Sequence, residues 1–375
     1  MTIVVIAPDK FKGALTAMQA SQAIERGVKR ASPEIECKLC PMADGGEGTV
    51  ETFLDRGAQR MTARVRGPLG KRVDAVFALD GHTAIVEMSS ASGLGLLEKS
   101  QYDPTKTDTF GTGGLITAAL SAGARRIIVG LGGSATNDAG TGMLRALGVR
   151  FLDASGDELR EGILTYQRLA SIDLEGLDDR VRDVQIDAAV DVDNPLCGPD
   201  GASHTFAKQK GATPEQIEQL DAVLEHIADV ASKALGHDER NTPGAGAAGG
   251  LGFALSAFLD AKLERGVRLI AREAGLPDMM RGASLCMTGE GKIDMQTLHG
   301  KTVAGVADIA RGCKVPVVAF GGKVDDDAKA ALSERGIQAI QTAPADMPAE
   351  QAMARAGEFL EEAAASAANA FLHGD

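Results

Sequence analysis

The chain contains no tryptophan, and aromatic residues fill only 3% of its 375 positions. Its cores must therefore be packed from Ala, Val, Leu, Ile and Met, which a hydrophobic content of 44% supplies in quantity. No run of about 18 apolar residues occurs, so no membrane-spanning helix is expected. The opening stretch MTIVVIAPDKF has no basic leader and reaches Pro8 after too few apolar residues for a signal peptide. The five cysteines, Cys37, Cys40, Cys197, Cys286 and Cys313, are too few and too scattered for a disulfide framework. Cys37 and Cys40 form C-x-x-C inside the apolar run EIECKLCPM, with no second pair to complete a zinc site, so structural thiols in a cytoplasmic protein are expected. Positive charge is scarce: the net charge is -13, which argues against nucleic acid or anionic membranes as partners. An anionic ligand must then be met by local basic groups.

The length suits two domains, because single cores stop growing at roughly 250–300 residues. Strands alternate with amphipathic helices. Ile3–Ala7 is an unbroken apolar run suited to a strand buried on both faces, Leu15–Ala31 reads as a helix, and Glu34–Met42 reads as a second strand. Three further strands are predicted at Gln59–Val65, Val73–Leu79 and Thr83–Met88, with a hairpin turn at Asp80-Gly81. Helices are predicted over Asp108–Ala122, Pro214–Ala234 and Gly246–Glu264. From Leu285 onward strand and helix alternate, with strands at Leu285–Thr288, Val315–Phe320 and Ile337–Gln341. Neither end can cover its own strands, so residues 1–68 and 282–375 are expected to join in one doubly wound parallel domain. Residues 69–281 form an inserted α/β domain with a mixed sheet, and the chain crosses near Pro68 and Arg281. A cleft between two such domains is a natural ligand site.

The most suggestive segment is Ala124–Met143, ARRIIVGLGGSATNDAGTGM, which reads as an apolar strand running through a glycine turn directly into a helix start. The first N–H groups of a helix are unpaired and lie at the positive end of its dipole, where phosphate binds. Gly130, Gly132 and Gly133 let a ligand approach the backbone, Ser134 and Thr136 offer hydroxyls, and Asn137 and Asp138 can reach a metal or a reacting hydroxyl. The same residues read equally as a strand–turn–helix joint with an ordinary cap.

Glycine elsewhere is weighed by context. Gly244–Gly249, GAGAAG, fits G-x-G-x-x-G literally but follows Asn241-Thr242-Pro243 rather than a strand. Gly130, Gly132 and Ala135 fit the looser G-x-G-x-x-A after a real strand, with Asp153 and Asp157 about where a ribose-binding acid belongs. Leu298–Thr302, LHGKT, is not a Walker motif, because Met295 holds the earlier glycine position, but Lys301 can still meet phosphate as a point charge. Three charged glycine-rich turns are placed after strands: Asp9-Lys10-Phe11-Lys12-Gly13, Asp44-Gly45-Gly46-Glu47-Gly48, and Thr288-Gly289-Glu290-Gly291 with Asp294 and Gln296 beyond. In DAAVDVDNPLCGPDG, Asp187, Asp191 and Asp193 surround a short apolar strand, and Asp191 and Asp193 point the same way if it is extended. That suits magnesium binding or proton abstraction; a solvated edge strand ending in an Asn-Pro turn is the plainer reading. Lys106–Gly113, KTDTFGTG, is another cap-rich helix start whose hydroxyls fit a substrate or plain capping.

Taken together, APDKFKG (7–13), PMADGGEGT (41–49), GLGGSATNDAGTG (130–142), DVDNPLCGPDGA (191–202), GAGAAGGLG (244–252) and TGEGKIDMQTLHGK (288–301) resemble the glycerate kinase type 1 family, whose members include glycerate 2-kinase. The resemblance spans nearly the whole chain, in the family's order. Ala14 and Ala139 stand where the pattern has Ser and Gly. The resemblance implies two α/β domains, one discontinuous and flavodoxin-like, with the active site in the cleft. It also implies ATP-dependent phosphorylation of D-glycerate, usually to the 2-phosphate, although many members are described as forming the 3-phosphate.

On that reading Gly132, Gly133, Ser134, Thr136, Asn137, Gly289, Glu290 and Lys301 hold ATP, and Lys10 neutralises the moving phosphoryl group. Lys12, Asp9, Asn194 and Asp294 meet the glycerate. Asp191 deprotonates the glycerate hydroxyl, with Asp138 as second choice. Mg2+ arrives with ATP and keeps several waters, so Asp44 and Glu47 suffice as its protein ligands. An oligomer is compatible with the sequence. The alternative is an NAD(P)-dependent oxidoreductase acting on a small hydroxy acid, and a third class is a two-lobed carboxylate-binding protein without turnover.

Overall fold

Ile3–Ile6 is apolar along its length because it is an interior strand of a parallel sheet, with Val4, Val5 and Ile6 fully buried. In the computed structural model, which describes residues 2–160, 162–299 and 301–374, this strand belongs to the first of two units. That unit comprises residues 1–44 and 267–375, and the second comprises residues 45–266.

The sheet of the first unit runs Glu36–Leu39, Ile3–Ile6, Leu285–Ile293, Val317–Val324, Ile337–Gln341, with every pairing parallel. Numbered along the unit, that is the order 2-1-3-4-5 of flavodoxin-like sheets, whose switch point lies between the first and third strands. The register sets Val4 beside Leu285 and Ile6 beside Met287. Helix Ala17–Ala31 starts where Thr16 accepts from the Gln19 N–H while the Gln19 side chain accepts from the Thr16 N–H. It packs on helix Ala356–His373, so that Ile24, Val28 and Leu360 close the core over Val4, Ile6, Met287 and Phe320.

The second unit has a six-stranded sheet in the order Lys262–Arg265, Gln185–Val190, Arg126–Gly130, Thr83–Glu87, Arg72–Asp80, Gln59–Arg66. The first three joins are parallel and the last two antiparallel. Asp80 pairs with Thr83 across the predicted hairpin, with Gly81 at φ 58°. A two-stranded ribbon, Arg150–Asp153 with Leu169–Asp173, lies outside that sheet. The core is aliphatic, as the composition requires; Phe77, Phe151, Phe253 and Tyr166 are its large aromatics.

The mixed α/β architecture agrees with expectation, but several boundaries do not. The units part at 44/45 and 266/267 rather than near Pro68 and Arg281. Gln59–Arg66 pairs residue by residue with Arg72–Asp80, which carries residues 45–68 into the second unit. At the other edge, Val267 packs on Gly305 and the Cys40 thiol approaches the Ala274 carbonyl, which ties residues 267–280 to the first unit. The predicted helix Gly246–Glu264 ends at Leu259, where Asp260 takes φ 50°, and Lys262–Arg265 becomes a strand by pairing with Gln185–Val190. Strand Leu285–Ile293 runs straight through Thr288-Gly289-Glu290-Gly291, where a turn is predicted. Its neighbour pairs on both sides of Gly291, Gly289 with Phe320, Glu290 with Gly321 and Lys292 with Lys323. Among the described residues, no helix is long and apolar enough to cross a membrane.

Candidate active site

Strand Arg126–Gly130 leads into the Gly132-Gly133-Ser134 turn, but the turn does not open a helix. Ser134 bridges to Gly93, the Leu94 N–H donates to the Gly133 carbonyl at 3.0 Å, and the Ala135 N–H donates to the Ser92 carbonyl at 2.9 Å. The helix begins only at Thr141 and lasts six residues, behind Gly140 at φ 68°. The helix-dipole argument for phosphate therefore fails. Two of the glycines make room for chain rather than ligand: a Cβ on Gly130 would stand 2.2 Å from the Gly45 carbonyl oxygen, and one on Gly132 would stand 2.7 Å from the Gly46 Cα. The dinucleotide reading of the segment fails with the helix, since that motif needs its glycines at a helix start. Asp153 belongs to a turn, accepting from the Ser155 and Asp157 N–H groups at 2.9 and 3.1 Å.

Thr136, Asn137 and Asp138 are buried. The Thr136 hydroxyl donates to the Ala248 carbonyl at 3.4 Å, and the Asn137 amide donates to the Ser203 hydroxyl at 2.9 Å. Asp138 accepts from the Thr109 N–H and hydroxyl at 2.9 and 2.8 Å and from the Gly140 and Gly142 N–H groups at 3.2 and 3.1 Å. Burial pushes its carboxyl above the ordinary value, against the pull of these donors. With four donors on it, Asp138 acts as a cap that ties the 106–113 segment to the short helix. Thr107 makes the neighbouring tie, donating to the Ala135 carbonyl at 2.7 Å. The GAGAAG segment ends with Ala248 and Gly249 at φ 54° and 72°, and Gly250 follows at 93°. The Gly249 carbonyl accepts from the Ala139 N–H at 3.0 Å.

In the second unit, a cavity of about 170 Å³ is lined by Gly132, Gly133, Ser134, Asp191 and Lys210, together with apolar residues such as Leu131 and Val190. Asp191 arrives there because strand Gln185–Val190 ends one residue before it. The expected alignment of Asp191 and Asp193 along that strand does not arise. Asp193 is exposed and ion-paired to Arg265, whose guanidinium also donates to the Asp191 carbonyl at 2.8 Å. Asp187 is a buried partner of Arg126 at 2.7 Å and of the Gln185 amide at 2.9 Å. The Asn194 side chain donates to the Asp200 carbonyl at 2.7 Å and to the Thr205 hydroxyl at 3.0 Å, holding the loop beyond the strand.

Lys210 is a cavity-lining residue that no motif marks. It is 2% exposed, and its ammonium donates to the Thr136 carbonyl at 2.7 Å. Burial pushes it down to about 7, against the attraction of Asp138. In the sequence it stands in KQK, where nothing local distinguishes it from the exposed Lys208.

In the first unit, the switch point gathers Asp9, Glu290 and Thr302. The Asp9 N–H donates to the Gly289 carbonyl at 2.8 Å, and the Thr288 hydroxyl donates to the Ala7 carbonyl at 2.7 Å. The Asp9 carboxylate accepts from the Lys10 N–H at 2.7 Å and from the Thr302 hydroxyl. Burial first, then the charges of Asp44 and Glu290, push Asp9 up to about 7. Glu290 accepts from the Thr297 hydroxyl at 2.6 Å and is also raised, chiefly by burial, against the attraction of Lys301. Lys301 caps helix Thr302–Gly312 by position and reaches the Gln296 amide oxygen at 3.1 Å; Gly300 of the same motif lies outside the described residues. Asp294 accepts from the Gln296 N–H at 2.9 Å and from Lys292 at 3.4 Å. Lys10 is half-buried, and Lys12 and Glu47 are exposed. Among the described residues, no three His, Cys, Asp or Glu side chains form a metal-binding set. The oxygen-only carboxylates around Asp9 and Asp44 fit a magnesium ion that arrives on a ligand and keeps its waters, rather than one caged by protein.

Comparison with known proteins agrees with the motifs. The model of the glycerate kinase family matches residues 4–372. A glycerate kinase of Bacillus subtilis (strain 168) is 47% identical over 365 residues, covering 96% of this chain and 95% of the relative. A glycerate 2-kinase of Escherichia coli (strain K12) is 46% identical over 341 residues, covering 90% and 89%. A crystal structure described as glycerate kinase 2 from Salmonella typhimurium LT2 superposes with a TM-score of 0.90 at 42% identity, covering 100% of this chain and 99% of that one.

Proposed function

The chain belongs to the glycerate kinase family, and from that premise we propose that it transfers the terminal phosphoryl group of ATP to D-glycerate, giving 2-phosphoglycerate and ADP. The observation that carries this reading is that Gly132, Gly133 and Ser134, from one motif, and Asp191, from another, line one cavity of the second unit. The 2-phosphate follows the E. coli relative, which is named a glycerate 2-kinase.

Phosphoryl transfer asks a protein mainly for positioning and charge stabilisation. In this reading the Gly132–Ser134 turn holds phosphoryl oxygens through backbone N–H groups, with no help from a helix dipole. Asp191 orients the glycerate hydroxyl and takes its proton as the oxygen bonds to phosphorus and the bond to the ADP oxygen breaks. Lys10 and Lys12 supply positive charge for phosphoryl or carboxylate oxygens, with Lys301 beside Glu290 as a further cation of the nucleotide set. Magnesium supplies charge neutralisation on the nucleotide when bound, with Asp44 and Glu47 as its protein carboxylates.

The test is to incubate the chain with ATP, magnesium and D-glycerate and follow the product by phosphorus NMR. Glycerate-dependent ADP with a resonance coupled to the C2 proton is expected. No glycerate-dependent ADP would overturn the kinase reading, and coupling to the C3 protons would overturn the choice of product.

A further inference from the structure

We propose that the cavity beside the Gly132–Ser134 turn is a site for a small oxyanion, a carboxylate or a phosphoryl group, and that Lys210 supplies its counter-charge. This deepens the kinase reading and rests on it for the identity of the oxyanion. Three observations carry it. First, Lys210 is buried in the cavity wall with one hydrogen bond, to the Thr136 carbonyl; among the described residues its ammonium has no other acceptor and no carboxylate within ion-pair reach. An ammonium carries three donors, and two of these have no acceptor among the described residues. Asp138, the acid that acts on it through space, is occupied by four other donors, and Asp191 is the other charged group on the cavity wall.

Second, among the described residues the backbone N–H groups of Gly132, Gly133 and Ser134 have no acceptor in the chain, although the flanking Leu131 and Ala135 N–H groups are both engaged. Three successive free N–H groups beside an under-bonded ammonium form an anion-binding concavity. Third, about 170 Å³ falls short of the ~300–1,000 Å³ typical of sites that enclose drug-sized ligands. It suits a three-carbon acid or one phosphoryl group.

Burial pushes Lys210 down to about 7, so an arriving oxyanion draws a proton onto it. The full chain is titrated calorimetrically with D-glycerate and, separately, with inorganic phosphate at pH 7.5, in two buffers of different ionisation enthalpy. The oxyanion that occupies the cavity is expected to bind with net proton uptake. Lys210→Met is expected to bind it about tenfold or more weakly and without that uptake, and Lys210→Arg is expected to bind it with little change between pH 6 and 9. Uptake with phosphate alone, counted as the excess over Lys210→Met because phosphate itself titrates near neutral pH, assigns the phosphoryl group, and uptake with glycerate alone assigns the carboxylate. Absence of uptake with glycerate, together with no excess uptake over Lys210→Met with phosphate, overturns the proposal. So does Lys210→Met binding like the parent. The ADP assay above stands apart: glycerate-dependent ADP without proton uptake sinks this inference and leaves the kinase reading in place.

Discussion

Asp138 holds Thr109 at two points, accepting its N–H at 2.9 Å and its hydroxyl at 2.8 Å, while the Thr109 hydroxyl oxygen in turn accepts the Met143 N–H at 2.8 Å. The cap thereby joins two segments that are each rich in residues resembling ligand contacts. Asp138→Ala leaves four buried donors without an acceptor and is expected to lower stability by about 3–5 kcal/mol, read from urea unfolding. Thr109→Val removes part of the same network and is expected to cost about 1–2 kcal/mol. The double variant should then fall well short of the sum. Additive losses would show that the two residues act independently.

Asp9 gives the stability a pH signature. The unfolded chain releases this proton near 3.8 and the folded chain near 7, so between those values the folded state holds more protons. The contribution is full below about 4 and is lost as pH rises through 7. Relative to Asp9→Asn, the parent should therefore lose a few kcal/mol between about pH 4 and 8, at ~1.4 kcal/mol for each pH unit separating the two values. Parallel curves of urea midpoint against pH for the two proteins would refute this.

Gly249 is bound by space as well as by backbone angle. A Cβ there would stand 2.1 Å from the Thr136 carbonyl oxygen, with φ already at 72°. Gly249→Ala is expected to cost about 2–4 kcal/mol and to disturb the turn that lines the cavity. Gly81→Ala, at φ 58° with nothing within 4 Å of the new atom, is expected to cost only about 1 kcal/mol. Equal thermal shifts for the two variants would remove the packing argument.

Asp191→Asn is expected to lower glycerate-dependent ADP release by about 10²–10⁴-fold while leaving nucleotide binding largely intact. Asp193→Asn, altering an exposed ion pair, is expected to stay within about threefold of the parent. Near-normal turnover in the Asp191 variant would remove that residue as base.

Much of the fold is legible where one local rule governs the outcome. Strand Ile337–Gln341 matches its predicted bounds, and helix Pro214–Leu235 begins at a Thr-Pro cap that the sequence displays openly. The failures share a cause. Ser, Thr, Asn and Asp after a strand read as a helix start, but residues 92–94 and 249 engage that segment before a helix can form. The Thr288–Gly291 stretch reads as a turn, yet a neighbouring strand aligned along it makes it sheet. Partners distant in sequence decide both cases. Lys210 escapes a sequence reading for a related reason: burial separates it from Lys208, and burial depends on where Thr136 lies.

The sheet of the first unit also fixes an order of events during synthesis. Its two central strands come from opposite ends of the chain; Ala7 and Thr288, joined by a hydrogen bond, are 281 residues apart. At roughly 5–20 residues per second, strand Ile3–Ile6 can meet Glu36–Leu39 early but leaves the ribosome tens of seconds before Leu285–Ile293 exists. All of residues 45–266 emerge in that interval. The second unit can form its sheet from its own strands while one edge of strand Ile3–Ile6 waits for its partner, which leaves the nascent chain an open apolar edge throughout that interval.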